Sequence, residues 1–106
     1  FILEATSKIP KLFDSKKKTI GIRIPDNNIV LEIVRQLGHP LVTTSIHDED
    51  EIIDYSTDPD IIAGNWEDRV DAVIDGGFGL NVPSTVVDLS EGNVEIIRQG
   101  IGELDF

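Results

Sequence analysis

The chain has 106 residues, no cysteine, no methionine and a net charge of −11 at pH 7. This length allows one small domain, the lack of cysteine excludes disulfides and thiolate metal sites, and no apolar run approaches the roughly 20 residues that span a bilayer. We therefore expect a cytoplasmic globular protein with no membrane segment.

The charge is distributed unevenly along the chain. Residues 1–25 contain six basic and two acidic residues, whereas the remainder contains three arginines and 18 acidic residues. An acidic surface repels nucleic-acid phosphates, which disfavours nucleic-acid binding by the chain alone. The run Lys16–Lys18 leaves a phosphate contact open, although a solvated loop before a strand is the simpler interpretation.

The first quarter of the chain predicts two strands. Phe1–Leu3 has the apolar character of a buried strand end, and this start without methionine indicates a piece cut from a longer domain. Apolar residues within 9–13 have helical spacing. Alternating isoleucines then predict a strand over Thr19–Ile24 that stops at Pro25.

The strongest helix signal lies in the next segment. Asp26 or Asn27 offers an N-cap, and an apolar stripe at helical spacing runs over residues 29–37. Gly38 and Pro40 then supply the stop. A helix ending near residue 37 is therefore predicted.

The middle of the chain predicts two short strands around a short helix. Leu41–Ser45 is rich in β-formers, and Ala72–Ile74 is a compact apolar run. Between them Asp58 and Pro59 form a cap followed by proline at the first helical position, which opens a helix to about Trp66. Gly76–Gly79 is predicted to be a loop.

The end of the chain predicts a hairpin. Thr85–Leu89 and Val94–Arg98 are strand-like runs, and Glu91–Asn93 between them has turn composition. Strands alternate with helices before this hairpin. The fold class is therefore α/β, with a twisted mixed open sheet.

No catalytic signature stands by itself in this sequence. Walker A, G-x-S-x-G and H-E-x-x-H patterns are absent, and the acidic run Asp48–Glu51 lacks EF-hand spacing, so no metal site is predicted. What remains is a set of polar residues at predicted strand ends, where open α/β sheets bind ligands. Singly, each also fits a local backbone contact or a solvated side chain. The set comprises Thr19, Arg23, Thr43–Ser45, Ser84–Thr85 and Arg98.

Five segments together resemble the YrdC/YciO family in order and spacing. They are KTIGIRIPDN (18–27), LGHPLVTTS (37–45), DAVIDGG (71–77), VPSTVVDLS (82–90) and IIRQG (96–100). Residues 101–106 look closest to the YciO branch. The resemblance implies that residues 1–106 form the C-terminal part of one YrdC-like domain, a partial domain whose upstream half, with the family's K-x-R signature, is absent.

The resemblance also implies a chemistry. Members of the family make threonylcarbamoyl-AMP from threonine, bicarbonate and ATP with Mg²⁺, and this product is used in tRNA modification. Carried over by position, the residues that match ATP contacts are Thr19, Ser45 and Arg98. The residues that match threonine contacts are Arg23, Thr43 and Ser84. His47 stands where the family motif S-x-N has asparagine, and is a candidate phosphate contact. The catalytic residues stay undetermined.

Two other interpretations remain open at this point. One is a translation-related module that binds double-stranded RNA or tRNA, which the family has also been described as doing. The other is an inactive structural fragment. Because missing upstream strands would leave open sheet edges, we also expect a homodimer that covers those edges.

Overall fold

The computed structural model describes residues 1–9, 17–46 and 56–105. The chain forms two compact units. The sheet unit consists of Phe1–Ile24 with Val82–Phe106, and the helical unit is Pro25–Asn81. No helix in the described ranges is long and apolar enough to cross a bilayer.

The sheet unit contains four short strands: β1 (Ile2–Glu4), β2 (Thr19–Gly21), β3 (Val86–Asp88) and β4 (Glu95–Arg98). Their order is β2-β1-β3-β4. β1 runs parallel to β3, while the β1–β2 and β3–β4 pairs are antiparallel. With the two helices of the other unit, this mixed open sheet confirms the predicted α/β class.

Val87, in the middle of β3, is the one fully buried hydrophobic side chain in the described part of the chain, with 1% of its surface exposed. β3 lies between β1 and β4, so its central residue has a neighbouring strand on each side. On the edge strand β4, Ile96 and Ile97 stay 51% and 54% exposed. Packing within the sheet is therefore centred on β3.

The helix α1 (Asn28–Leu37) forms where its capping signals predict it. The side chain of Asn27 accepts hydrogen bonds from the backbone N–H groups of Ile29 and Val30, at 3.0 and 3.1 Å. Asn27 rather than Asp26 is therefore the N-cap. At the other end Gly38 has a left-handed φ of 74° and donates its N–H to the Val34 carbonyl at 3.0 Å.

The helix α2 (Pro59–Trp66) also confirms its prediction. Oδ1 of Asp58 accepts from the backbone N–H of Asp60 at 2.9 Å, and Pro59 occupies the first helical position. Proline loses nothing there, because the first N–H groups of a helix have no intrahelical partner. Beyond the helix the Arg69 guanidinium lies 4.3 Å from the centre of the Trp66 ring.

Two predicted strands, Leu41–Ser45 and Ala72–Ile74, are wrong: neither segment is a strand in the structure. A strand is held by ladder hydrogen bonds to a neighbour, and the described residues of the helical unit contain no strand to pair with. The apolar side chains therefore remain accessible, with Val42 62% and Ile74 64% exposed.

The predicted strand at Phe1–Leu3 is β1, one residue further along at Ile2–Glu4, and the other three strand predictions were right in place and too long. The predicted strand Thr19–Ile24 is β2, which ends at Gly21. The Ile22 N–H still bonds the Phe1 carbonyl at 2.7 Å, and no described residue pairs with the segment beyond it. The hairpin is present as β3 and β4. The apolar spacing within residues 9–13 reaches into residues outside the described ranges.

Candidate ligand site at one end of the sheet

The strand register places the predicted polar residues at two opposite ends of the sheet. Ile2 pairs with Gly21 of β2 and with Asp88 of β3, and Asp88 pairs with Glu95 of β4. These paired residues form one row across the sheet. Arg23 lies two residues beyond Gly21, and Arg98 pairs with Val86, two residues before Asp88, so both arginines lie on the same side of that row. Thr19 opens β2 at the opposite end, roughly 13 Å along the strand at about 3.3 Å per residue.

Ser84 and Arg98 are brought into direct contact at this end of the sheet. The guanidinium of Arg98 donates to the backbone carbonyl oxygen of Ser84 from Nε at 3.0 Å and from Nη2 at 2.8 Å. A guanidinium carries five N–H donors, so three remain beyond these two bonds. The hydroxyl of Ser84 makes no hydrogen bond to another described residue, and the residue is half-buried.

The hairpin continues past its regular strands toward this contact. Val86 pairs with Arg98, and the Ile101 N–H bonds the Pro83 carbonyl at 3.0 Å, which keeps the same register. Gly100 therefore lies opposite Ser84. A Cβ on Gly100 would overlap the Pro83 carbonyl oxygen and come within 2.6 Å of the Thr85 backbone nitrogen, so the two backbones approach too closely for any other residue.

Two arginines at this end of the sheet have no ion-pair partner within the described ranges. Neither Arg23 nor Arg98 forms an ion pair there, and both are exposed. The contrast is Arg35 of α1, whose guanidinium bonds Glu32 at 2.6 and 2.8 Å. That contact, with help from Gln36, lowers the pKa of Glu32 to about 2. Unlike Arg35, the two sheet arginines keep their charge available to an anion.

The other predicted site residues belong to other segments of the chain. Thr43 and Ser45 belong to the helical unit, in the segment after α1, and both are exposed without a hydrogen bond among the described residues. His47 and the acidic run Asp48–Glu51 fall outside the described ranges. Within those ranges, no group of three or more histidine, aspartate or glutamate side chains could hold a metal ion.

Sequence reasoning missed one residue of this site and undervalued another. Gln99 was not among the predicted residues, and Thr85 was noted only as polar. Their side chains bond each other and the backbone of Gly100 and Gly102. Their positions directly beside Ser84 and Arg98 were the signal that could have found them.

A family model supplies the identification. The Sua5/YciO/YrdC model, described as "Telomere recombination", matches residues 1–100. The chain belongs to the Sua5/YciO/YrdC family. Within this family match lie all the predicted site residues, among them the Ser84–Arg98 pair.

The curated relatives of this Sua5/YciO/YrdC chain fall into two groups. A Haemophilus influenzae protein named "Uncharacterized protein" is 43% identical over 103 residues, covering 96% of this chain and 50% of that protein. The Escherichia coli "Uncharacterized protein YciO" is 36% identical over 105 residues, covering 98% of this chain and 50% of that protein. The mouse "Threonylcarbamoyl-AMP synthase" is 32% identical over 107 residues, covering 93% of this chain and 37% of that protein.

The similarity to these relatives extends over only part of their length. The chain spans about half the length of the Haemophilus influenzae and Escherichia coli relatives, and a smaller share of the mouse synthase. No solved structure matches the chain significantly.

Proposed function

We propose that the end of the sheet carrying Ser84 and Arg98 binds the phosphates of ATP, as part of a threonylcarbamoyl-AMP synthase-like activity. The main support is the position of the Arg98 guanidinium. It is fixed on the Ser84 carbonyl and has no acidic partner among the described residues. The likeness to proteins named threonylcarbamoyl-AMP synthase supplies the reaction class.

The geometry of the Arg98 contact suits an anion. Because Nε and Nη2 both point at the Ser84 carbonyl, that edge of the guanidinium is used. The end-on edge, formed by Nη1 and the second N–H of Nη2, remains for a ligand. Two parallel N–H donors match two oxygens of a phosphate or carboxylate, and such charge-assisted pairs are stronger than neutral hydrogen bonds.

Arg23 supplies a second cation at the same end of the sheet. β2 and β4 are separated by two strands, which places the backbone of Arg23 roughly 14 Å from that of Arg98 at about 4.8 Å per strand. We assign Arg98 to a nucleotide phosphate and Arg23 to the carboxylate of L-threonine, with the Ser84 hydroxyl orienting the amino acid.

The described residues have a binding and orienting role in this proposal. Holding two reactants side by side and neutralising phosphate charge are the main protein contributions to such transfers. No cluster of side chains among the described residues would bind Mg²⁺. The ion would instead be bound by the phosphates of the nucleotide. Thr19, Thr43, Ser45 and His47 enter the proposal from the family resemblance alone.

Isothermal titration of the chain with ATP and Mg²⁺, with and without threonine, tests the proposal. We expect ATP binding that strengthens when threonine is present. Arg98→Ala should weaken it roughly tenfold to hundredfold, which corresponds to losing one charge-assisted pair. Arg35→Ala is the matched control, because it removes the same charge from an exposed position in the other unit.

Two outcomes would contradict the proposal. The first is no binding of ATP to the chain under either condition. The second is an equal loss of affinity in Arg98→Ala and Arg35→Ala, which would show a nonspecific effect of charge. Titration with duplex RNA is the comparison for the alternative function, and the 18 acidic residues beyond position 25 lead us to expect no binding.

A further inference from the structure

A small hydrogen-bonded cluster lies directly behind the Ser84–Arg98 contact. The hydroxyl of Thr85 donates to the Gly102 carbonyl at 2.6 Å and accepts from the Gly100 N–H at 2.9 Å. The side-chain amide of Gln99 lies 3.1 Å from the Gly102 carbonyl and 3.5 Å from the Thr85 hydroxyl. We name Thr85, Gln99, Gly100 and Gly102 the clasp.

The clasp closes the open end of the hairpin. In the register that pairs Val86 with Arg98, Gln99 lies opposite Thr85 and Gly100 opposite Ser84. The clasp therefore connects the two residues that follow Arg98 to the residue that follows Ser84. The close backbone approach at Gly100 leaves no room for the two segments to come nearer or to slide.

This end of the hairpin needs such support for a physical reason. β4 is exposed along its whole length, and the register is irregular between Val86 and Val87, so that Ile97 is an extra residue. A bulge leaves a residue unpaired and disrupts the ladder locally. Beyond the Val86–Arg98 pair of the ladder, the segment that follows Arg98 would without the clasp be joined to the segment before β3 only by the backbone bond from Ile101 to Pro83 and the Arg98–Ser84 contact.

We infer that Thr85 and Gln99 are positioning residues that hold Arg98 on the Ser84 carbonyl and so keep its end-on edge directed at an anion. The consequence for ATP rests on the proposed function above. An arginine side chain loses much rotamer freedom when it binds an anion, and fixing the side chain beforehand removes part of that entropic cost from the binding free energy.

The first test needs no ligand. In the free chain, NMR would follow hydrogen exchange of the Arg98 Nε–H in wild type, Thr85→Val and Thr85→Ser. Valine has the shape of threonine without the hydroxyl, whereas serine keeps it. We expect Thr85→Val to speed the exchange roughly tenfold, as loss of about one net hydrogen bond predicts, and Thr85→Ser to restore slow exchange.

The second test uses ATP titration in a double-mutant cycle. Thr85→Val should weaken ATP binding in the wild-type background and have no effect in the Arg98→Ala background, since it acts through Arg98. Gln99→Leu should behave in the same way with a smaller change. An equal effect of Thr85→Val in both backgrounds would show general structural damage and would overturn the inference.

The two tests separate the two proposals. If the wild-type chain binds no ATP, the proposed function fails, while fast Arg98 exchange in Thr85→Val still supports the clasp. Unchanged Arg98 exchange in a folded Thr85→Val chain overturns the positioning role whatever ATP does. If Thr85→Val does not fold, Gln99→Leu provides the same measurement, because it removes only an exposed amide.

Discussion

Arg98 holds the backbone carbonyl oxygen of Ser84 between two of its nitrogens, Nε at 3.0 Å and Nη2 at 2.8 Å. The contact joins the end of β4 to the residue two positions before β3. It fixes the plane of the guanidinium as well as its position, because two donors on one edge share one acceptor. An ammonium group could satisfy the carbonyl but could not present a second, parallel pair of donors.

The first prediction follows from this difference. Arg98→Lys keeps the positive charge and loses the planar fork, so we expect ATP affinity to fall roughly tenfold. Isothermal titration measures the change, and Arg35→Lys is the matched control on the exposed surface of α1. Wild-type affinity in Arg98→Lys would mean that charge alone is sufficient at this position.

The second prediction concerns the close approach behind Arg98. Gly100→Ala places a methyl group against the backbone of Ser84 and Thr85, at 2.5 and 2.6 Å, and backbone cannot rotate away as a side chain can. We expect the free energy of unfolding to fall by about 2 kcal/mol, within the range for overpacking. Urea unfolding measures it.

The control for that substitution lies in the same unit. Gly21 ends β2, and a Cβ built there meets nothing within 4 Å. Gly21→Ala should therefore leave stability unchanged or raise it slightly, because alanine restricts the unfolded chain. Equal unfolding curves for Gly21→Ala and Gly100→Ala would show that the approach at Gly100 is not tight in solution.

The third prediction compares two glycines of the helical unit. Gly38 ends α1 with φ at 74°, whereas Gly64 lies inside α2 with open space around its Cβ position. Gly38→Ala should cost about 1 kcal/mol, because a Cβ is strained at positive φ. Gly64→Ala should instead add about 0.5–1 kcal/mol of stability, from the better helix propensity of alanine. Urea unfolding followed by circular dichroism distinguishes the opposite signs, and two changes of the same sign would contradict the prediction.

Local signals predicted the parts of this fold that depend on neighbours in sequence. The capping residues Asn27 and Gly38 set the bounds of α1, and Asp58 with Pro59 set the start of α2. Leu41–Ser45 shows the limit of such signals. A β-rich run carries no information on whether a partner strand lies beside it, and none does in the described helical unit.

The sequence predicted which residues form the site, but not which of them contact each other. Ser84 and Arg98 were singled out as polar residues at strand ends. Their contact depends on the irregular register between Val86 and Val87, where one strand gains a residue. The alternation of side chains along a strand cannot reveal such a shift from the sequence. A single extra residue moves each side chain beyond it to the opposite face of the sheet. The bond between Gln99 and Thr85 could not be predicted for the same reason, although Thr85 was in the predicted set.

The fourth prediction concerns the stability of the sheet unit at acid pH. Asp88, at the end of β3, accepts from the Ser90 hydroxyl at 2.6 Å and from the Ser90 backbone N–H at 2.8 Å. The hydroxyl bond first, and the backbone bond second, lower the pKa of the Asp88 carboxyl below its ordinary value of 3.8. Both bonds stabilise the charged form.

The sign of the effect on stability follows from linkage. The unfolded chain binds a proton at Asp88 more readily than the folded chain does, so this contribution is fully present above pH 3.8 and is lost as the pH falls through the lower folded pKa. Ser90→Ala removes the hydroxyl bond, which is the larger cause of the lowered pKa. The pKa of Asp88 should therefore rise toward 3.8, and the free energy of unfolding should fall less on going to acid pH than it does in wild type.

Carbon-13 NMR titration of the Asp88 carboxyl measures the change in pKa, and urea unfolding at about pH 6 and about pH 3 measures the change in stability. Ser7→Ala, at an exposed serine of the same unit, is the control. A pKa of Asp88 that is the same in Ser90→Ala and in wild type would show that the hydroxyl bond does not form in solution.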